Sequence, residues 1–198
     1  MAKGRESGMP AAERWSSFFD ADCMLAKLDC TPACHDVLEF GCGYGLFTEA
    51  AARVARGTVY AIDIVPEMVV ATRRRLQQAG LQNAVVEERD FVADGAGRPG
   101  ASVDYAMLFN ILHIDAPVAL LREAYRALNP GGTLGIVHWN YDPATPRGPS
   151  MAIRPRPEQC REWAQSAGFE FVRFEPLACC EHHYGIVCRR PPTAEHAR

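Results

Sequence analysis

Short apolar runs alternate with longer amphipathic segments along most of this chain. Runs rich in apolar and β-branched residues predict strands, and segments with apolar residues at helical spacing predict helices. The predicted strands are 37–40, 58–62, 84–88, 103–109, 133–139, about 169–175 and 182–189. The predicted helices between and after them are 46–55, 66–79, 116–128 and 157–167.

Strands that alternate with helices form parallel sheets, because each helix returns the chain to the same end of the sheet. The last two strands have no helix between them, so they predict an antiparallel hairpin at the sheet edge. Upstream, Trp15, Phe18 and Phe19 share one side of a predicted helix, and Asp20 is placed to cap a second. The sequence therefore predicts an α/β fold: a Rossmann-like, doubly wound, mostly parallel seven-stranded sheet with an antiparallel C-terminal edge hairpin and an N-terminal helical cap.

The length of 198 residues and the hydrophobic content of 48% indicate one globular domain. We expect this domain to span 13–190, with loose tails at 1–12 and 191–198. The net charge is −3 and there is no basic tract, so no nucleic-acid partner is predicted. No apolar run reaches membrane-spanning length and no signal-peptide core is present, so we expect a cytoplasmic protein without membrane contact.

Eight cysteines raise the question of disulfides and metal sites. Because no secretion signal is found, we expect all of them to be free thiols. None has the C-x-x-C spacing of a structural zinc site, and no metal site is predicted. The stretch ACCEHHYGIVC at 178–188 could still join the thiols and imidazole of 30–35 around a metal or metalloid. The alternating side chains of an edge strand explain the same stretch more simply.

The stretch LEFGCGYG at 38–45 places Gly41, Gly43 and Gly45 between the first predicted strand and a helix. Such a density of glycine indicates unusual dihedrals or the close approach of a ligand. A dinucleotide site usually has G-x-G-x-x-G under a pyrophosphate, whereas this loop reads G-x-G-x-G after an acid, Glu39. An acid beside the loop favours a cofactor that carries positive charge and no phosphate, such as S-adenosylmethionine.

With these residues the chain resembles the class I S-adenosylmethionine-dependent methyltransferases, and especially their small ubiquinone/menaquinone-biosynthesis-like members. Four motifs carry the resemblance in order: LEFGCGYG, VYAIDIVPEMV, ERDF and LNPGGTLGIV. The resemblance implies that the glycine loop surrounds the methionine part of the cofactor and that Asp63 binds the ribose hydroxyls. It also implies that Asp90 meets the adenine amino group and that Phe91 borders the ring. The cofactor contacts predicted in this way are Glu39, Gly41, Gly43, Gly45, Asp63, Ile64, Asp90, Phe91 and Asn110.

Acceptor-side residues are expected after strands four and five. Methyl transfer needs alignment and the exclusion of water, and it needs a base only when the acceptor must lose a proton. His113 is the first candidate base, because the end of strand four faces the methyl group in this architecture; His138 and Tyr141 are further catalytic candidates. Either histidine could equally be a structural side chain. The predicted function is methyl transfer to a small-molecule acceptor held beyond these two strands.

Other functions fit parts of the sequence. One is a cysteine-assisted arsenite or metalloid methyltransferase, and another is a nicotinamide-binding oxidoreductase. A third is a non-catalytic module that binds the cofactor. The acid before the glycine loop and the spacing of the glycines disfavour the nicotinamide alternative.

Overall fold

The computed structural model describes residues 10–193, so the predicted loose tails lie largely outside it, at 1–9 and 194–198. The strands are β1 (Val37–Phe40), β2 (Val59–Asp63), β3 (Ala84–Glu88), β4 (Val103–Phe109), β5 (Leu128–Trp139), β6 (Glu170–Pro176) and β7 (His183–Arg189). The helices are α1 (Ala12–Ser16), α2 (Ala21–Lys27), α3 (Leu46–Val54), α4 (Pro66–Gln78), α5 (Pro117–Ala127) and α6 (Pro157–Ser166). Within 10–193 no helix combines the length and the apolar character that a membrane span requires.

The seven strands form one sheet in the order β3-β2-β1-β4-β5-β7-β6. The first five are parallel, and β7 runs antiparallel to both β5 and β6. This arrangement confirms the predicted fold, including the C-terminal edge hairpin and the helical cap. The strand order reverses between β1 and β4, and the carboxyl ends of strands at such a reversal are where open α/β sheets bind ligands.

Helices cover both faces of the sheet, as the apolar runs of its strands require. On one face α2, α3 and α4 enclose a cluster that includes Met24, Phe47 and Leu76. On the other face α5 and α6 enclose a cluster that includes Leu121 and Ala164. Val37 of β1 enters the first cluster, and Leu38 and Phe40 enter the second, so this short strand is buried on both sides.

The local signals at helix ends are also found where the sequence placed them. The side chain of Asp20 accepts a hydrogen bond of 3.0 Å from the backbone N–H of Cys23 and so caps α2. Pro66 occupies the first turn of α4, and Gly80 follows that helix with φ +69°. The segment NPGG at 129–132, which precedes the predicted strand 133–139, lies inside β5. The N–H of Gly131 donates to the carbonyl of Arg190 at 2.8 Å. Arg190 directly follows β7, so the pairing between β5 and β7 continues alongside this irregular stretch.

One disulfide bond joins Cys23 in α2 to Cys179 in the turn before β7. The expectation that all cysteines are free thiols is therefore wrong for this pair. The two residues are 156 positions apart, and only the packing of the helical cap against the β6–β7 hairpin brings them together. The other six cysteines are free and buried.

Candidate functional site

The carboxyl ends of β1, β2 and β4 border a cavity of about 280 Å³ at the point where the strand order reverses. His113, on the loop after β4, forms part of its wall. Of the cofactor contacts predicted from the sequence, all except Gly45 line the cavity. They are Glu39, Gly41, Gly43, Asp63, Ile64, Asp90, Phe91 and Asn110.

The glycine loop is fixed against the end of β2 by backbone hydrogen bonds. The N–H groups of Gly41 and Cys42 both donate to the carbonyl of Ile62, at 2.8 and 3.1 Å. Gly41, Gly43 and Gly45 have φ angles of +77°, +52° and +75°. Residues with a Cβ rarely adopt these dihedrals, so all three glycines are required by the path of the loop itself.

Gly45 has a second role that lies outside the cavity. It immediately precedes α3, and a Cβ at this position would lie only 2.8 Å from Cγ2 and 3.0 Å from Cα of Thr72 in α4. The Thr72 hydroxyl donates a hydrogen bond of 2.9 Å to the Gly43 carbonyl. Gly45 thus allows α4 to approach the loop closely, and this packing accounts for it without a ligand contact.

Glu39 is an acid on the cavity wall with only 2% of its surface exposed. The hydroxyl of Thr48 in α3 donates a hydrogen bond to its carboxyl group. Burial raises the pKa of Glu39 to about 8; the bond from Thr48 opposes this shift, and the nearby Asp63 adds to it. Within residues 10–193 no salt bridge neutralises Glu39. The site therefore suits a ligand group that carries positive charge.

Asp63 joins the glycine loop to the start of α4. Its carboxylate accepts one hydrogen bond from the N–H of Gly43 and another from the N–H of Val65, each 2.9 Å long. Burial raises the pKa of Asp63, and these backbone bonds oppose that shift. A carboxylate offers about four acceptor sites, so Asp63 retains lone pairs for a ligand.

Asp90 and Phe91 form another part of the wall, after β3. The Asp90 carboxylate accepts hydrogen bonds of 3.1 Å from the N–H groups of Val92 and Ala93 and so shapes the turn that follows. The Phe91 ring packs edge-on against Phe40 with the ring centres 5.7 Å apart. Asp90 thus has a local structural role in addition to its place on the cavity wall.

Asn110 directly follows β4 and has an unusual backbone conformation. Its φ angle is +56°, while its N–H continues the sheet by donating to the Val137 carbonyl at 2.8 Å. Both polar atoms of its amide group are buried and have no hydrogen-bond partner within residues 10–193. Since buried amide groups are normally paired, this side chain indicates a ligand with a matching donor or acceptor.

The three candidate catalytic residues occupy different positions. Nδ1 of His113, which lines the cavity, lies 3.3 Å from Nε2 of His138. His138 at the end of β5 is fully buried behind it and does not reach the cavity wall. Tyr141 lies further along the chain, and its ring stacks under the guanidinium of Arg156 at 3.7 Å. Tyr141 is not part of the cavity wall either.

Aromatic residues form a part of the cavity that the sequence did not predict. Trp15 from α1, Phe47 from α3 and Phe109 from β4 all line it. The rings of Phe47 and Phe109 are 4.8 Å apart, and Phe19 connects them to Trp15 through ring contacts of 5.3 and 4.9 Å. The apolar side of the first helix was the available signal, but nothing in it showed that this side faces a cavity.

Comparison with known proteins agrees with this geometry. The profile of the family described as "Methyltransferase domain" matches residues 37–132. A ubiquinone biosynthesis O-methyltransferase of Xanthomonas oryzae pv. oryzae is 37% identical over 126 residues, which are 62% of this chain and 50% of that protein. Its counterpart in Xanthomonas campestris pv. campestris is 37% identical over 110 residues, or 54% of this chain and 44% of the other. Residues 37–132 thus resemble a methyltransferase domain, and the chain has the fold of the class I S-adenosylmethionine-dependent methyltransferases.

Solved structures show the same methyltransferase fold. An S-adenosylmethionine-dependent methyltransferase from Aquifex aeolicus has a TM-score of 0.77 at 22% identity, covering 87% of this chain and 90% of the other. The [4+2]-cyclase SpnF has a TM-score of 0.73 at 19% identity, and the match covers 96% of this chain and 84% of SpnF. The chain spans about half the length of the curated relatives it matches. The matched segment 37–132 contains His113 and every cofactor residue predicted from the sequence, but not Trp15 or His138.

In the part of the chain that the structure describes, the cysteine and histidine stretches at 30–35 and 178–188 do not converge on a metal site. Within residues 10–193 no three His, Cys, Asp or Glu side chains are arranged to hold a metal ion. Cys179 is bonded to Cys23, and the Cys180 thiol donates to the Phe18 carbonyl at 2.8 Å and lies 3.1 Å from Nδ1 of His183. These contacts give the metalloid alternative no support.

Proposed function

We propose that this chain binds S-adenosylmethionine in the cavity and directs its methyl group to a small-molecule acceptor. The observation that carries the proposal is Glu39, a buried acid on the cavity wall without a cationic partner in residues 10–193. Burial of an unpaired acid is unfavourable, and a positively charged ligand relieves the penalty. The ammonium and sulfonium groups of S-adenosylmethionine provide that charge. A dinucleotide pyrophosphate would instead be repelled by the carboxylate of Asp63 and would leave Glu39 without a cationic partner.

The remaining wall residues suit the other parts of the cofactor. Asp63 has lone pairs for the ribose hydroxyls, and Phe91 offers a flat apolar surface beside Asp90. The amide of Asn110 has no hydrogen-bond partner among residues 10–193. When bound, S-adenosylmethionine supplies a methyl group made electrophilic by the sulfonium sulfur. The chain's own residues hold the two reactants in line and exclude water, which by itself accelerates such reactions greatly.

The acceptor is proposed to lie against the aromatic part of the wall, beside His113. Trp15, Phe47 and Phe109 give this region an apolar, aromatic surface suited to a small apolar molecule. The curated relatives are named as O-methyltransferases, which supports an oxygen atom as the methylated position. An acceptor hydroxyl beside His113 would have a base within reach.

Ligand titration separates this proposal from the nicotinamide alternative. Calorimetry should show binding of S-adenosylmethionine and S-adenosylhomocysteine but not of NADH. Glu39→Gln should weaken S-adenosylmethionine binding by roughly ten- to a hundredfold, the value of a hydrogen bond to a charged group. Glu170→Gln, on the exposed edge strand, is the matched control and should bind as the wild type does. Binding of NADH in preference to S-adenosylmethionine would refute the proposal.

A transfer assay separates an enzyme from a cofactor-binding module. This distinction is needed because SpnF, which shares the fold, is named as a cyclase. Protein with methyl-labelled S-adenosylmethionine should be assayed against phenols, amines and thiols for labelled product and for S-adenosylhomocysteine. Product with a hydroxylated aromatic compound is expected. Tight cofactor binding without transfer to any acceptor class would favour the non-catalytic module.

A further inference from the structure

Two histidine side chains, from the carboxyl ends of neighbouring strands, contact each other at the cavity wall. His113 lies on the loop after β4 and His138 near the end of β5, and Nδ1 of the first is 3.3 Å from Nε2 of the second. Their rings are nearly perpendicular, at 79°, with centres 5.5 Å apart. A hydrogen bond between two imidazoles requires one nitrogen to donate and the other to accept. The contact therefore couples the position of the proton on His113 to that on His138.

The surroundings of His138 keep its ring neutral. Burial lowers the pKa of His138 well below its ordinary value; the neighbouring His113 and His183 lower it further, as does Arg154 to a smaller extent. A neutral imidazole carries one proton, either on Nδ1 or on Nε2. Only Nε2 faces His113, so the location of this single proton decides which histidine donates.

The direction of this hydrogen bond decides whether His113 can serve as a base. Nδ1 of His113 lies against His138, so Nε2 of His113 has a free lone pair only when the proton of that ring is on Nδ1. In that arrangement Nε2 of His138 accepts the hydrogen bond, and the single proton of the neutral His138 is on its Nδ1.

We propose that His138 is a positioning residue whose Nε2 accepts a hydrogen bond from Nδ1–H of His113, so that Nε2 of His113 presents its lone pair to the acceptor in the cavity. This inference rests on the proposed function. In the reaction, Nε2 of His113 takes the proton of the acceptor hydroxyl as the oxygen forms its bond to the methyl carbon. The electrons of the broken carbon–sulfur bond remain on sulfur, and the protonated His113 donates through Nδ1 to His138.

A neutral partner has a specific consequence for a base. A carboxylate in place of His138 would place a negative charge beside His113 and favour the charged form of its ring. An uncharged imidazole orients the ring and fixes its tautomer without adding that charge. His138 thus holds His113 in the tautomer that can accept a proton.

The tautomer can be measured without any acceptor. Long-range ¹H–¹⁵N spectra of labelled protein at about pH 7.5, with His113→Gln for assignment, should show His113 protonated on Nδ1. His138→Gln keeps a carbonyl acceptor and should preserve this tautomer, whereas His138→Leu should abolish the preference. The exposed His35→Gln serves as the matched control and should leave the His113 signals unchanged. Circular dichroism spectra and melting temperatures close to those of the wild type establish that the variants are folded.

Two results would overturn the proposal. One is a wild-type His113 that carries its proton on Nε2, the nitrogen assigned to the cavity. The other is a His113 tautomer that is the same in wild type and in folded His138→Leu protein. Failure of S-adenosylmethionine to bind would instead overturn the proposed function and would leave the tautomer spectra unaltered, so the two failures are distinguishable.

Discussion

The backbone N–H of Gly43 donates a hydrogen bond of 2.9 Å to the carboxylate of Asp63. This bond links the loop after β1 to the end of β2, the two segments that the family resemblance assigns to the methionine and ribose parts of the cofactor. The second oxygen of the same carboxylate accepts from Val65, which precedes α4. Asp63 therefore holds the shape of the site before any ligand binds, and its substitution affects both stability and affinity.

We expect Asp63→Ala to lower the melting temperature and to weaken S-adenosylhomocysteine binding by roughly ten- to a hundredfold, because hydrogen bonds to a charged group are lost. A loss of stability alone does not reveal the ribose contact. The test therefore compares the affinities of the wild type and the variant for two ligands, the natural one and an analogue that lacks the ribose hydroxyls. The wild type should prefer the natural ligand over the analogue, and Asp63→Ala should lose most of that preference. Asp94→Ala, an exposed acid in the next loop, is the control. An undiminished preference in Asp63→Ala would exclude the ribose role.

The pKa of Glu39 makes the stability of the free protein depend on pH. The group has a pKa of about 8 in the folded state and 4.5 ordinarily, because its burial disfavours the charged form. The folded protein therefore retains a proton that the unfolded chain releases between these values. This contribution to stability is complete below about pH 4.5 and is lost as the pH rises through about 8.

Glu39→Gln is neutral at every pH and should remove this dependence. At about pH 8.5 the variant should melt at a higher temperature than the wild type, with the difference shrinking toward about pH 6. Thermal unfolding without ligand, followed at several pH values, measures the effect, with Glu170→Gln as the control. A difference in melting temperature that does not change with pH would contradict the assignment. Greater stability together with weaker cofactor binding would show that the acid is kept for its ligand.

The glycines of the loop should separate into two classes. Gly43 lines the cavity, so Gly43→Val should abolish detectable S-adenosylhomocysteine binding while circular dichroism shows a folded protein. Gly45 lies against Thr72, so Gly45→Ala should chiefly lower the melting temperature, by roughly 2–4 °C for each kcal/mol of strain. Calorimetry and thermal melts of the two variants test this division. It fails if Gly43→Val binds as the wild type does.

The Cys23–Cys179 disulfide should be visible by mass. Alkylation of denatured, unreduced protein is expected to label the six free cysteines and leave this pair unmodified. Reduction, or Cys23→Ser, should lower the free energy of unfolding by about 3–5 kcal/mol, because a long loop is no longer closed in the unfolded chain. Cys34→Ser should lose one label and keep the bond. Eight labels on freshly isolated, unreduced protein would disprove the pairing.

The sequence by itself determined the seven strands, their order of alternation with helices, and the residues at the ends of β1, β2 and β3. These features follow from local rules: burial on both faces gives apolar runs, and left-handed dihedrals favour glycine. Glu39, Asp63 and Asp90 could be proposed because each lies within two residues of the carboxyl end of a recognisable strand. The edge hairpin was predicted because no helix separates its strands.

Only the tertiary structure decided which distant residues meet. The pairing of Cys23 with Cys179, the aromatic wall that includes Trp15, and the position of His138 behind His113 all depend on how separate elements pack. Hydrophobic periodicity shows which side of an element is buried, but it does not show what covers that side. For the same reason the sequence could place His113 and His138 on neighbouring strands but could not show that one lines the cavity and the other supports it.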